Sequence, residues 1–132
     1  MTTTPLALTV LLVADLPRAA AFYDAAFGWA KTVDVPVYVE YRVNDGARLG
    51  LMVQDNMRQF VGEDLGGRRP VDGALRAEVY LHVDDLAAAI GRLEAAGAPC
   101  VGPRAPRGWG DEAAYFLDPD GYVVVVARPL GG

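Results

Sequence analysis

The four residues Val13-Ala14-Asp15-Leu16 recur in the second half of the chain as Val83-Asp84-Asp85-Leu86. Each copy follows an extended apolar run and precedes an alanine-rich stretch. The third residue of each copy is a natural N-cap, because an aspartate carboxylate accepts the free amide hydrogens of a helix's first turn. Gly28 and Gly97 follow the alanine-rich stretches, where glycine supplies the left-handed cap that ends a helix. The repeat therefore predicts two strand–helix units.

Turn signals extend each unit beyond its helix. We expect helices over residues 17–27 and 86–96, each followed by short strands. Asn44-Asp45-Gly46 in the first half and Asp118-Pro119-Asp120-Gly121 in the second are strong hairpin signals. The pattern predicts an α+β protein in which a β-α-β-β-β module is written twice. Since one helix covers only one face of a sheet, we expect curved mixed sheets with helices outside and a concave ligand cavity inside.

The length is that of one domain made of two modules. A chain of 132 residues buries enough surface for a single core. We place the modules at about residues 5–61 and 75–130. The segment between them, residues 62–74, is rich in glycine and charge and is predicted to be a linker.

Composition and charge exclude several classes of protein. Hydrophobic residues make up 52 % of the chain and charged residues 22 %, which is too apolar for a disordered protein. The net charge of −5 disfavours a nucleic-acid binder, since phosphate neutralisation needs a basic face. No apolar run is long enough for a membrane span, and the first residues carry no basic signal. The single cysteine, Cys100, cannot form an internal disulfide. We expect a cytoplasmic protein that binds neither nucleic acid nor membrane.

Both halves of the chain resemble a known superfamily. The segments at residues 10–18, 21–23 and 27–29 are similar to the opening of vicinal-oxygen-chelate proteins. Residues 93–97 and 115–122 are similar to the second half of the same proteins. This superfamily includes glyoxalase I, bleomycin-resistance proteins and extradiol dioxygenases. The resemblance implies their fold, but it spans lyases, dioxygenases, thiol transferases and non-catalytic binders.

Catalytic members of this superfamily hold a metal through four positions, on the first and last strands of the two modules. The resemblance matches these positions to Leu8, Gly50, Glu78 and Val125. Three of the four side chains cannot bind a metal, because a divalent ion needs several oxygen, nitrogen or sulfur ligands. We therefore expect no metal or other cofactor. The resemblance implies that the chain is closest in kind to the metal-free, antibiotic-binding members of the superfamily.

Strand alternation predicts which side chains line the cavity. Alternate residues share a face, which groups Glu78, Tyr80 and His82 in the second module. The other strands add a mostly apolar set, a composition typical of ligand sites: Leu6, Leu8, Val10, Leu12, Arg48, Gly50, Met52, Gln54, Val123, Val125 and Ala127. Either Tyr38 or Tyr41 faces the same way, because the phase of their strand is open. Glu78 could instead be an ordinary exposed strand residue, and His82 a structural residue at the rim.

Trp109 lies between two glycines in a loop that contains two prolines. It could cover the protein's own core. The resemblance implies a second role, because this segment often lines the cavity of drug-binding members, and a flat indole stacks on a planar ligand. We predict a ligand-binding set with no catalytic residue: Trp109, Glu78, Tyr80, His82, Leu8, Val10, Met52, Tyr38 and Val125.

Two functions are compatible with these residues. The first is a non-catalytic protein that sequesters a bulky, planar or partly aromatic antibiotic or natural product and so confers resistance. The alternative is a metal-free enzyme that acts on such a molecule, with Glu78 or His82 as general base. The acidic charge favours a cationic or neutral ligand. Open sheet edges and an apolar concave face also predict a homodimer, which in this superfamily is often arm-exchanged.

Overall fold

The computed structural model describes residues 2–61 and 75–131, in which eight strands and three helices follow one another. The first half contains β1 (Ala7–Val13), α1 (Leu16–Ala26), β2 (Lys31–Val35), β3 (Tyr38–Asn44), β4 (Ala47–Val53) and α2 (Gln54–Val61). The second half contains β5 (Glu78–His82), α3 (Leu86–Ala95), β6 (Cys100–Pro106), β7 (Asp111–Leu117) and β8 (Val123–Pro129). The predicted linker at residues 62–74 lies outside the described residues.

The strands form two four-stranded mixed sheets of the same topology. Their strand orders are β1-β4-β3-β2 and β5-β8-β7-β6. In each sheet the first and last strands of the module pair in parallel, and the other neighbours pair antiparallel. The registers correspond as well, since Val10 pairs with Gly50 as Tyr80 pairs with Val125. The predicted α+β fold with a duplicated module is confirmed.

The described residues divide into two compact units. The first unit comprises residues 2–21 and 28–61, and the second comprises residues 22–27 and 75–131. Helix α1 therefore contributes its N-terminal part to the first unit and its C-terminal end to the second.

The ends of the helices have the predicted caps. The side chains of Asp15 and Asp85 each accept a hydrogen bond, at 3.0 Å, from the backbone amide three residues further on. Gly28 and Gly97 have φ angles of 64° and 84°, in the left-handed region that glycine adopts without strain. Across the part of the chain that is described, no helix is long and apolar enough to cross a membrane.

In the first unit, alternation gives the sheet two different faces. Leu49, Leu51 and Tyr41 are buried on one of them, and the Tyr41 hydroxyl donates to the Ala20 carbonyl of α1 at 3.2 Å. This face therefore carries the helix. We call the opposite side of each sheet its helix-remote face. Tyr38 is out of phase with Tyr41 and pairs with Met52, so Tyr38 belongs to the helix-remote face.

The second unit repeats this arrangement. Ala87 and Ile90 of α3 line a common cavity with Ala114 and Phe116 of β7, so these strand positions face the helix. The alternate positions of the sheet form the helix-remote face: Glu78, Tyr80 and His82 on β5, Val123, Val125 and Ala127 on β8, and Asp111, Ala113 and Tyr115 on β7.

The prediction that Gln54 belongs to an inward-facing strand is wrong. β4 ends at Val53, and Gln54 begins helix α2. From Gln54 onward the apolar side chains no longer alternate but recur at helical spacing, as at Met57, Phe60 and Val61. Asp55 lies in the first turn of α2, where a negative charge favours the helix N-terminus.

A buried hydrogen bond ties the end of α1 to the β7–β8 turn within the second unit. The Tyr23 hydroxyl donates to Asp118 Oδ2 at 2.7 Å, while Asp118 Oδ1 accepts the amides of Asp120 and Tyr122, both at 2.9 Å. Burial raises the pKa of the Asp118 carboxyl, and the bond from Tyr23 opposes that rise. The carboxylate is therefore kept inside the protein by the three donors.

We expect the substitution Tyr23→Phe to lower the free energy of unfolding by about 1.5–3 kcal/mol at neutral pH, because a buried charged acceptor loses its donor. The raised pKa means that ionising Asp118 costs stability as the pH rises, and loss of Tyr23 increases this cost. The loss should therefore shrink in acidic buffer, where the carboxyl is protonated. Urea unfolding at both pH values measures it, and an equal loss at both would contradict the charge argument.

Candidate functional site

The helix-remote face of the second unit places aromatic and charged side chains over an apolar floor. The floor consists of the fully buried residues Ala113, Val125 and Ala127. Tyr80, Tyr115 and Val123 pack against it. Register places Tyr80 and Tyr115 on either side of Val125. The two tyrosines therefore lie on the same face, on the strands that flank β8.

Four side chains on this face form a continuous hydrogen-bonded chain. The Tyr80 hydroxyl donates to Asp111 Oδ2 at 2.6 Å, and His82 Nε2 lies 3.0 Å from the same oxygen. The Trp109 indole N–H donates to the Tyr80 hydroxyl at 2.9 Å. Tyr80 is thus the central member, since it accepts from Trp109 and donates to Asp111.

Local structure explains how these residues meet. Tyr80 and His82 are two residues apart on β5, so alternation points them the same way. Trp109 lies in the β6–β7 hairpin, which the Arg107 amide closes by donating to the Asp111 carbonyl at 2.7 Å. Gly110 has a φ of 98°, a conformation that favours glycine. The hairpin therefore brings Trp109 back beside the strand that begins with Asp111.

The hydrogen bonds shift two pKa values in opposite directions. Burial raises the pKa of the Tyr80 phenol, the bond to Asp111 raises it further, and the bond from Trp109 opposes the rise. The bond from Tyr80 lowers the pKa of the Asp111 carboxyl, burial opposes this, and His82 lowers it further. The phenol therefore keeps its proton while Asp111 stays ionised.

A cavity of about 420 Å³ opens on the same face. Its lining combines apolar groups with one acidic and one basic side chain: Leu75, Arg76, Ala77, Glu78, Tyr115 and Val123. Arg107 supports the Tyr115 wall, with its guanidinium 5.0 Å from the ring centroid. The Arg107 Nη2 atom also donates to the carbonyls of Pro103 and Ala113, at 2.7 and 3.1 Å. The Arg107 guanidinium is therefore held in place over the ring of Tyr115.

The helix-remote face of the first unit carries a different carboxylate. The Tyr38 hydroxyl donates to Glu40 Oε1 and the Thr32 hydroxyl to Glu40 Oε2, both at 2.7 Å. These two bonds lower the pKa of Glu40, whereas burial and the bond to Glu40 raise that of Tyr38. A β-carbon added at Gly50 would lie 2.6 Å from the Tyr38 hydroxyl oxygen. The phenol therefore occupies the space that a side chain at position 50 would need.

The structure joins some of the predicted site residues and separates others. Trp109, Tyr80 and His82 belong to one hydrogen-bonded chain. Glu78 lies on the same face at the cavity, but it is exposed rather than enclosed by apolar groups. Val125 is fully buried in the floor, so contact with a ligand would require the tyrosines to move.

The predicted residues of the first module share the helix-remote face of their own unit. Leu8 is 45 % exposed, while Val10, Tyr38 and Met52 are half-buried. Register places Val10 beside Gly50, and Met52 beside Tyr38. Their role in binding a ligand stays a prediction.

Sequence reasoning missed three polar or aromatic residues. Asp111 and Tyr115 alternate along β7, and Glu40 follows Tyr38 by two positions on β3. The alternation signal was present in both strands, but using it required the phase of the middle strands, which depends on pairing with β4 and β8.

The positions that the superfamily resemblance matches to metal ligands do not fit a metal. Leu8, Gly50 and Val125 carry no donor atom in their side chains, and the phenol of Tyr38 fills the space beside Gly50. Glu78 is the one carboxylate among the four positions. In the described ranges, 2–61 and 75–131, no three His, Cys, Asp or Glu side chains form a group that could hold an ion.

Comparison with known proteins gives a family model and many structures. The model of the Glyoxalase/Bleomycin resistance protein/Dioxygenase superfamily matches residues 6–126. A glyoxalase-related enzyme from Fulvimarina pelagi is 26 % identical, with a TM-score of 0.78 over 93 % of this chain and 86 % of that one. A glyoxalase/bleomycin resistance protein/dioxygenase family enzyme from Burkholderia phytofirmans PsJN is 17 % identical, with a TM-score of 0.79 over 93 % and 97 %. A lactoylglutathione lyase from Agrobacterium tumefaciens is 20 % identical, with a TM-score of 0.68 over 97 % and 96 %. None of the curated proteins matches the chain in sequence.

The substitution Tyr80→Phe tests the hydrogen-bonded chain. We expect the pKa of Asp111 to rise, because the bond that lowers it most is lost. The Trp109 indole should also become more mobile, since its acceptor is removed. Carbon NMR titration of the Asp111 carboxyl measures the first effect, and fluorescence anisotropy in a Trp29→Phe background measures the second. Tyr115→Phe is the control, because it keeps the Tyr80 hydroxyl; an unchanged Asp111 titration in Tyr80→Phe would contradict the proposed chain.

Proposed function

Because the chain belongs to the glyoxalase/bleomycin resistance protein/dioxygenase superfamily, we propose that it is a non-catalytic member that binds a bulky, planar and partly aromatic small molecule. Sequestration of an antibiotic or similar natural product would make it a resistance protein. The superfamily name covers enzymes and resistance proteins alike, so the choice rests on the site. The observation that carries the proposal is the exposed indole of Trp109, held by Tyr80 on the face that bears the cavity.

Trp109 has the properties of a stacking platform. The residue is 61 % exposed, so it gains little of the burial that normally stabilises a tryptophan. The hydrogen bond to Tyr80 holds the edge of the ring and leaves ring surface for a ligand. Stacking of an aromatic ligand on such a ring adds about 0.5–1.5 kcal/mol beyond the area it buries.

The cavity is of a size that suits a small molecule. Its volume of about 420 Å³ lies within the range of known ligand pockets, roughly 300–1,000 Å³. Tyr115 and Val123 supply apolar contact, and Glu78 supplies a polar group that could orient the ligand. Binding is proposed to need no divalent metal, because the matched positions lack donor atoms. Added chelator should then leave the affinity unchanged.

One observation favours a second candidate, a metal-free enzyme with His82 as general base. The 3.0 Å contact between His82 Nε2 and Asp111 Oδ2 would orient the imidazole, as a carboxylate does for a catalytic histidine. The exposed carboxylate of Glu78 lies nearby on β5 as the other candidate base. Recovery of a converted ligand in excess over protein would favour catalysis, and recovery of intact ligand after long incubation favours sequestration.

We also propose that the protein forms a homodimer, arm-exchanged or not. β1 and β5 are edge strands of their sheets, and Leu8 on β1 is exposed. Exposed edges and apolar side chains favour association. Light scattering at micromolar concentration should give twice the 14.1 kDa chain mass, and a monomeric mass would contradict the proposal.

The central test is Trp109→Ala, with affinity measured against a panel of planar aromatic antibiotics. We expect the affinity of a compound that binds the wild type to fall by about 2 kcal/mol or more, as usually follows the removal of an aromatic anchor. Trp109→Phe should retain part of the affinity, because a smaller ring still stacks. Calorimetric titration measures all variants without depending on tryptophan fluorescence.

Trp29→Phe is the matched control for this experiment. Trp29 belongs to the first unit, where its ring lies 6.1 Å from that of Tyr41. Its substitution removes a tryptophan from the unit that does not contain Trp109. Equal losses in Trp29→Phe and Trp109→Ala would point to a general loss of structure, and full affinity in Trp109→Ala would exclude stacking on this residue.

A further inference from the structure

We propose that Asp111 determines which ligands bind, by pairing with a cationic nitrogen of an aromatic ligand. The ligand class is thus a planar aromatic molecule that carries a protonated nitrogen. This inference rests on the proposed binding function. It adds that the ligand is positively charged and that Asp111 is the residue that recognises the charge.

In the Asp111 carboxylate, one oxygen makes both side-chain hydrogen bonds and the other oxygen makes none with the described side chains. Both of its bonds, from the Tyr80 hydroxyl and to His82 Nε2, use Oδ2. Among the described residues no side chain donates to Oδ1. Because two groups fix Oδ2, the direction of Oδ1 is set before a ligand arrives, which lowers the entropy cost of binding.

Aromatic rings border this carboxylate. Trp109 and Tyr80 are linked edge to edge by their 2.9 Å hydrogen bond, and the rings of Tyr80 and His82 lie 5.9 Å apart. A cation is attracted both to a carboxylate and to the face of a tryptophan or tyrosine ring. A neutral ligand would gain the stacking alone, so the combination favours an aromatic cation.

The basic side chains around Asp111 are held by other partners. Arg107 donates to two carbonyls and lies over Tyr115. Arg104 and Arg128 both pair with Glu112, which is out of phase with Asp111 and so lies on the helix-bearing face. Among the described residues, His82 is the one basic side chain that contacts the Asp111 carboxylate. The net charge of −5 also attracts a cation over longer range.

Two acridine dyes of nearly the same shape test the inference. Proflavine is cationic at neutral pH, and acridine is neutral. The variant Asp111→Asn turns an amide nitrogen toward the place of Oδ1 when its oxygen accepts from Tyr80, so that a donor would face the cation. We expect the wild type to prefer proflavine, and Asp111→Asn to bind proflavine about tenfold more weakly or worse, with acridine changed by less than about twofold.

Glu112→Gln is the matched control, because it changes the net charge equally on the other face of the same strand. It should leave the preference for proflavine intact, and Asp111→Glu should retain part of it. The ratio of the two affinities is independent of the amount of folded protein, so partial unfolding of a variant cannot imitate the expected result.

Three results would contradict the inference while the binding function stands. In the first, Asp111→Asn weakens both dyes alike, which would limit Asp111 to positioning Tyr80. In the second, Glu112→Gln lowers the preference as much as Asp111→Asn, which would reduce the effect to net charge. In the third, the wild type binds both dyes equally. If the wild type binds neither dye and no member of the antibiotic panel, the proposed function itself fails.

Discussion

In each unit one face of the four-stranded sheet packs against a helix, α1 in the first unit and α3 in the second, and the arrangement of the side chains follows from this constraint. Side chains alternate along a strand, so half of the strand positions must be apolar and the other half are released from that requirement. In the first unit Leu49 and Leu51 meet the requirement, and in the second unit Val124 and Val126 do. The opposite positions then bear tyrosines, carboxylates and a histidine, which in the second unit surround a buried apolar floor of Ala113, Val125 and Ala127.

Each helix-remote face has a carboxylate that accepts a hydrogen bond from a tyrosine hydroxyl, but the two carboxylates differ in which of their oxygens are bonded. In the first unit both oxygens of Glu40 accept hydroxyl donors, from Tyr38 and Thr32. In the second unit both contacts of Asp111 converge on one oxygen. The Glu40 carboxylate joins β3 to β2, because each of its oxygens accepts a hydroxyl donor, one from each strand. Asp111 has an oxygen to which no side chain of the described residues donates, and Tyr80 links it to the exposed indole of Trp109.

The sequence was sufficient for features that depend on neighbours along the chain. The aspartate caps, the glycines that end the helices and the grouping of Tyr80 with His82 all follow from spacing over a few residues. The contact of Tyr80 with Asp111 was not predictable in this way, because it depends on β5 and β7 both pairing with β8. The phase of Tyr38 likewise required its pairing with Met52. The strand pattern of β4 was extended one residue too far, to Gln54, which begins helix α2.

Gly50, one of the positions that the resemblance matches to metal ligands, is coupled to other residues of its sheet. Any side chain at position 50 would begin 2.6 Å from the Tyr38 hydroxyl oxygen, so the phenol would have to move. Moving it would break its bond to Glu40, whose lowered pKa depends first on that bond. The position of the phenol therefore depends on the glycine, and the bond to Glu40 depends on the position of the phenol. A metal-ligating residue introduced at position 50 would meet an occupied space, and it would leave Glu40 with one hydroxyl donor fewer.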